Sequence, residues 1–81
     1  MDEQTIHSRI SALVDQEHAL RAGVGSGELA ADDERIRLQR VEEELDQCWD
    51  LLRQRAARRS VGADPGTAAA RSIAEVEGYL Q

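Results

Sequence analysis

Apolar residues at Ile6, Ile10, Leu13 and Leu20 recur at spacings of four, three and seven, with Val14 beside them. That spacing places them on one face and predicts a first helix over about 2–22. Asp2 and Glu3 stand where the positive end of the helix dipole favours carboxylates, and Glu17 precedes Arg21 by four, a pairing distance on a helix surface. Gly23-Val24-Gly25-Ser26-Gly27 then puts three glycines in five residues, which predicts the end of the helix and a reversal centred near Gly25 and Ser26.

A second periodic run follows. Leu38, Val41, Leu45, Cys48 and Leu52 recur at three, four, three and four, the alternation of a coiled-coil seam, and predict a helix over about 30–59. Asp32, Asp33 and Glu34 open it and Arg53, Arg55, Arg58 and Arg59 crowd its end, so both ends complement the dipole. Trp49 and Leu51 widen the seam late in the run. Val61-Gly62-Ala63-Asp64-Pro65-Gly66 breaks the helix, and Ala68 to Ala70 are readable as helix or linker. Ser72 and Glu75 have the spacing of a capping box, after which Ile73, Val76 and Leu80 share a helical face.

The expected fold class is therefore all-α: an antiparallel helical hairpin with a short C-terminal helical segment, dimerising into a four-helix bundle. The hairpin takes 1–60, and 61–81 form a linker and a docking segment. A turn centred at 25–26 pairs residues whose numbers sum to about fifty-one, so Leu20 faces Ala31, Leu13 faces Leu38, Ile10 faces Val41 and Ile6 faces Leu45. The same register leaves Leu52 and all that follows beyond the reach of helix one. Trp49, Leu51 and Leu52 then need a cover, either the chain's own Ile73 to Leu80 or a second hairpin, and a homodimer is the favoured reading.

Size adds to that expectation. With 81 residues, one Trp, one Tyr and no Phe, the chain is one small domain of marginal stability unless it associates. The interface is expected at Leu38, Val41, Leu45, Cys48, Trp49, Leu51, Leu52, Ile73, Val76 and Leu80. Between Asp32 and Asp50 the second helix has eight carboxylates against three Arg, and beyond Asp50 it has four Arg, so antiparallel copies would bring opposite signs together. Compensation of the helix dipole within one chain explains the same polarity.

Composition narrows the chemistry. A net charge of −6 and a pI near 4.8 make nucleic acid and anionic membranes poor partners. Cys48 is the only cysteine, so no disulfide can form within the chain, which fits a reducing compartment. No signal region or membrane-spanning run stands out, and a cytoplasmic location follows as the expectation. Asp46 and Asp50 flank Cys48, the wrong charge to activate a thiol. No enzyme is expected and no cofactor is implied. The competing reading is a metal- or small-ligand-binding bundle using Glu17, His18 and Glu34, because the fifty-one register sets Glu17 opposite Glu34 with His18 adjacent. His7 lies about three turns, roughly 16 Å, from His18 and cannot share its metal.

Two segments carry a resemblance: Glu44-Leu45-Asp46-Gln47-Cys48-Trp49-Asp50-Leu51-Leu52-Arg53-Gln54-Arg55 and Glu75-Val76-Glu77-Gly78-Tyr79-Leu80-Gln81. With Gly27-Glu28-Leu29 and Ala12-Leu13-Val14-Asp15, they make the chain similar to a family of short actinobacterial proteins, domain of unknown function 2630. The resemblance implies a bacterial, cytoplasmic protein and brings no activity, ligand or catalytic residue with it. Ala30-Ala31 departs from it, standing where such a sequence often has a polar cap and Pro. The terminal stretch looks like a docking element, for its own hairpin or for a partner such as another cytoplasmic protein.

Overall fold

The computed structural model describes residues 2–25, 27 and 31–80, the side chains of Val24 and Gly25 apart. It is all-α: α1 spans Glu3–Gly25, α2 spans Ala31–Ser60, a single 3-10 turn spans Pro65–Thr67, and α3 spans Ile73–Leu80. Asp2 starts α1 by accepting the Thr5 backbone N–H on Oδ1 at 2.7 Å, which satisfies one of the donors that a helix N-terminus leaves unpaired. The backbone N–H and the hydroxyl of Thr5 hold the Asp2 carboxyl below the usual aspartate range.

α1 does not stop at Ala22. It continues through Gly23 to Gly25, and Gly27, at φ +80°, provides the left-handed residue of the reversal. Ser26 and Glu28 to Ala30, with the expected turn centre and the Glu28-Leu29 part of the resemblance, lie outside the described residues. Between Gly25 and Ala31, facing positions on the two helices sum to about fifty-six, so pairing slides by about five residues from the fifty-one register.

The layers change accordingly. Ile6 and Ile10 gather with Leu51 and Ala68, and Val14, Leu45, Cys48 and Leu52 pack against this group. Leu51 and Leu52 thus meet α1 rather than overhanging it, and Ala31, expected opposite Leu20, is exposed. Ile6 and Leu13 are fully buried. Three ion pairs, Glu3 with Arg59, Arg9 with Glu44 and Arg21 with Glu42, bridge α1 and α2. The carboxylate that Arg21 meets is therefore across the hairpin, on Glu42, and not Glu17 on its own helix. All six side chains are 39–57% exposed, so each pair contributes about 0–1 kcal/mol and assists the register more than stability.

α2 ends in a Schellman motif: Ala63 N–H donates to Arg58 O at 2.8 Å and Gly62 N–H to Arg59 O at 3.1 Å, with Gly62 at φ +74°. Asp64 then caps the 3-10 turn through Gly66 N–H at 2.8 Å. The stretch 68–70, open between helix and linker from sequence, is not helical. Ser72 caps α3 by accepting the Glu75 backbone N–H at 3.2 Å, and its hydroxyl lies 3.4 Å from the Glu75 carboxylate, as the capping-box spacing predicts.

α2 is the central element. α1 and α3 both pack on it, and among the described residues they do not touch each other. The Cα envelope is a flat slab of 51 × 26 × 14 Å with a radius of gyration of 15.1 Å, against about 11.7 Å for a compact chain of this length. A slab one layer deep exposes two broad faces, whereas stable domains ordinarily close a core between layers.

Candidate functional site

Residues 65–72 cross one face of the slab as a strap along α2. Arg55 Nη1 donates to Pro65 O at 3.2 Å, Gln54 Nε2 to Ala69 O at 2.9 Å, and Gln47 Nε2 to Arg71 O at 2.8 Å. A spacing of seven sets Gln47 and Gln54 on one line of α2, and Arg55, about 100° further round the helix, widens the strip that grips the strap. They satisfy carbonyls that an irregular segment would otherwise leave to water. Ala68 is the apolar plug of the strap and packs with Ile6, Ile10 and Leu51. Beneath the strap Asp50 is 3% exposed, accepts a hydrogen bond from Gln54 Nε2 at 3.0 Å and lies 3.8 Å from Arg71 Nε. Arg71 in turn stacks over the Tyr79 ring at 5.8 Å, tying α3 back to the strap.

Sequence patterning names Leu51 and Val76 on this surface and misses Gln47, Asp50, Gln54, Arg55 and Arg71. Their signal is faint because polar residues at helical spacing look like an ordinary solvated face. All but Arg71 fall within Glu44 to Arg55, so the longer segment carrying the resemblance is also the segment that grips the tail.

α3 seats Val76, fully buried, against α2. Beside it the Glu77 carboxyl meets Asp46, with Glu43 adding further negative charge, and the hydrogen bond with Asp46, followed by burial and this repulsion, raises Glu77 above the usual glutamate range. Glu77 Oε1 is buried without a donor. Two ionised carboxylates cannot hydrogen-bond each other, so the contact becomes a bond when one of them carries a proton. The docked tail therefore binds more protons than the free tail. Docking should be strongest below the ordinary carboxylate pKa and weaken as pH rises from there through the raised value of Glu77. Hydrogen-exchange protection factors for 73–80, corrected for intrinsic rates, should fall in the natural chain as pH rises from the ordinary carboxylate range through the raised value of Glu77. In Glu77→Gln they should stay flat, and an equal fall in both would disprove the carboxyl pair.

The other expected site residues divide by face. Val41, Leu51 and Val76 are buried within the chain, and Leu38, Leu45, Cys48, Leu52 and Ile73 are half-buried. Trp49 is 45% and Leu80 50% exposed. Trp49 and Leu51, two residues apart, point about 200° apart around the helix. The strap that covers Leu51 therefore leaves Trp49 on the opposite face. Burial pushes the Cys48 thiol above its usual pKa, with Arg9 opposing and Glu44 reinforcing the shift. Such a thiol is a poor nucleophile.

Glu17 and Glu34 are half-buried and His18 and His7 are exposed. Among the described residues no three His, Cys, Asp or Glu side chains are grouped to hold a metal ion, which removes the geometric support for the Glu17, His18 and Glu34 reading. Of the four terminal Arg residues, Arg59 pairs with Glu3 and Arg55 holds the strap. Among the described residues no helix is long and apolar enough to cross a membrane.

Comparison with known proteins agrees with the resemblance read from sequence. The chain is 49% identical over 78 residues to an uncharacterised protein of Mycobacterium bovis, covering 96% of this chain and 88% of that one. Uncharacterised proteins from two strains of Mycobacterium tuberculosis match with the same identity and coverage. No solved structure matches. A family model described as protein of unknown function (DUF2630) matches residues 2–81, and the chain belongs to that family.

Proposed function

We propose that this protein is a non-enzymatic helical interaction module of the cytoplasm that pairs with a second copy of itself through the face opposite the strap. Trp49 carries the reading. It stands 45% exposed beside Leu45 and Leu52, both only half-buried, on a face that no other element among the described residues covers. Tryptophan in such a position is the residue type most enriched at the centres of protein interfaces. The shape supports the same reading, because the chain exposes 5375 Å² against about 4,850 Å² for a compact monomer of 9.0 kDa. An antiparallel crossing near Trp49 would set Arg53 of one copy beside Glu42 and Asp46 of the other, which assists orientation more than affinity.

Sedimentation equilibrium tests this directly. The natural chain should dimerise at micromolar concentration, and Trp49→Glu should weaken the dimer by roughly thirtyfold or more, the loss expected of a central aromatic anchor. Far-UV circular dichroism should remain that of a helical chain, since Trp49 lies outside the intramolecular core. A natural chain that stays monomeric at high micromolar concentration would end the proposal.

A further inference from the structure

The strap stops halfway along its face. Its last anchor is Gln47, and the line of α2 positions it follows continues toward the turn through Glu44, Arg40 and Arg37. There the hairpin carries an open groove floored by Ala19, Leu20 and Val41, with Arg37 and Arg40 on its rim. Glu44, also on the rim, is engaged by Arg9. No carboxylate among the described residues pairs with Arg37 or Arg40.

We infer that this groove is the docking site for an acidic segment of a partner protein, one that carries aliphatic side chains and continues the track of the strap. Two observations select the occupant. The first is continuity, because the same face already holds a chain segment by donors on α2 and an apolar plug. Arg40 and Arg37 extend the row of donors begun by Arg55, Gln54 and Gln47, and Leu20 with Val41 offer a floor where Ile6, Ile10 and Leu51 hold Ala68.

The second is charge. Guanidinium groups on both rim positions favour carboxylates by geometry as well as sign. A basic segment would meet two like charges, and a wholly polar one would leave Leu20 and Val41 without a partner. The inference rests on reading the chain as an interaction module, but it uses the face opposite Trp49.

The test is fluorescence anisotropy with the full chain and a short labelled peptide of glutamates interrupted by two leucines three positions apart. A lysine counterpart of the same pattern and a glutamate peptide without leucine serve as comparisons. The Glu–Leu peptide should bind saturably, and more weakly as salt rises. The double variant Arg37→Glu, Arg40→Glu should weaken it by roughly tenfold or more, the neutral Arg37→Gln, Arg40→Gln by less, and both comparison peptides should bind at least tenfold more weakly. In the natural chain, amide shifts on titration should centre on Ala19, Leu20 and Val41.

Equal binding of the lysine peptide, unchanged affinity in the charge-reversed variant, or shifts centred on Trp49 would overturn the inference. So would the absence of saturable binding. Trp49→Glu separates the two readings: it should weaken self-association by roughly thirtyfold or more and leave peptide affinity within about twofold. A chain that is monomeric yet binds the peptide retains the groove and loses the dimer, whereas a dimer blind to the peptide does the reverse.

Discussion

Leu51→Ala is expected to destabilise the fold by about 2–5 kcal/mol, the range for emptying a buried leucine site. For 81 residues the whole stability is of order 4–12 kcal/mol, so the loss is a large part of it. The melting temperature should fall by roughly 12–24 °C for a 3 kcal/mol loss in a domain of this size. The prediction discriminates between registers. With facing numbers near fifty-one, Leu51 has no partner on helix one. In the observed packing it is 5% exposed and clusters with Ile6 and Ile10. A double-mutant cycle combining Leu51→Ala with the mild Ile6→Val should therefore reveal a coupling of about 0.5–3 kcal/mol. Ile36→Ala, at a residue 52% exposed, should cost far less. Independent additivity of Ile6 and Leu51 would mean that they do not meet.

The two long helices were legible because each buries a stripe whose period survives in the sequence. Ile6, Ile10 and Leu13 lie on the buried face of α1, and Val41, Leu45, Cys48 and Leu52 lie on or beside that of α2. Periodicity fixes which residues face inward, but a slide of a turn or so leaves another apolar residue opposite each one. The register therefore depended on the turn, and the glycines misplaced it. A glycine lowers helix propensity by about 1 kcal/mol relative to alanine, a local cost that packing of the neighbouring turns can override, as α1 does through Gly25. The overhang inferred at Leu52 followed from that error. The strap was illegible for a different reason: Gln47, Gln54 and Arg55 serve it by donating to backbone carbonyls, and a carbonyl has no signature in the sequence.

Val76→Asp is expected to release the tail and leave the hairpin standing. Val76 is fully buried against α2 and contributes roughly 1.5–3 kcal/mol of apolar burial to docking. The strap's side-chain hydrogen bonds add about 0.5–1.5 kcal/mol each, offset by the cost of ordering the linker. An unpaired carboxylate at that buried site carries a penalty of several kcal/mol, and Glu75 and Glu77, which flank it in the chain, have the same sign. Undocking avoids the penalty. An eight-residue helix has little stability on its own, so the released α3 should also unwind. Amide protection should disappear across 73–80 and persist in the middle of α1 and α2. The loss should be local because among the described residues α3 packs on α2 and not on α1, and Ile6 and Ile10 keep Leu51 on the hairpin even where Ala68 leaves with the strap. Leu80→Asp, at a residue 50% exposed, should leave protection nearly unchanged. If Val76→Asp instead removed protection throughout α1, the tail would belong to a single cooperative core, and the division into a self-supporting hairpin and a docked tail would be wrong.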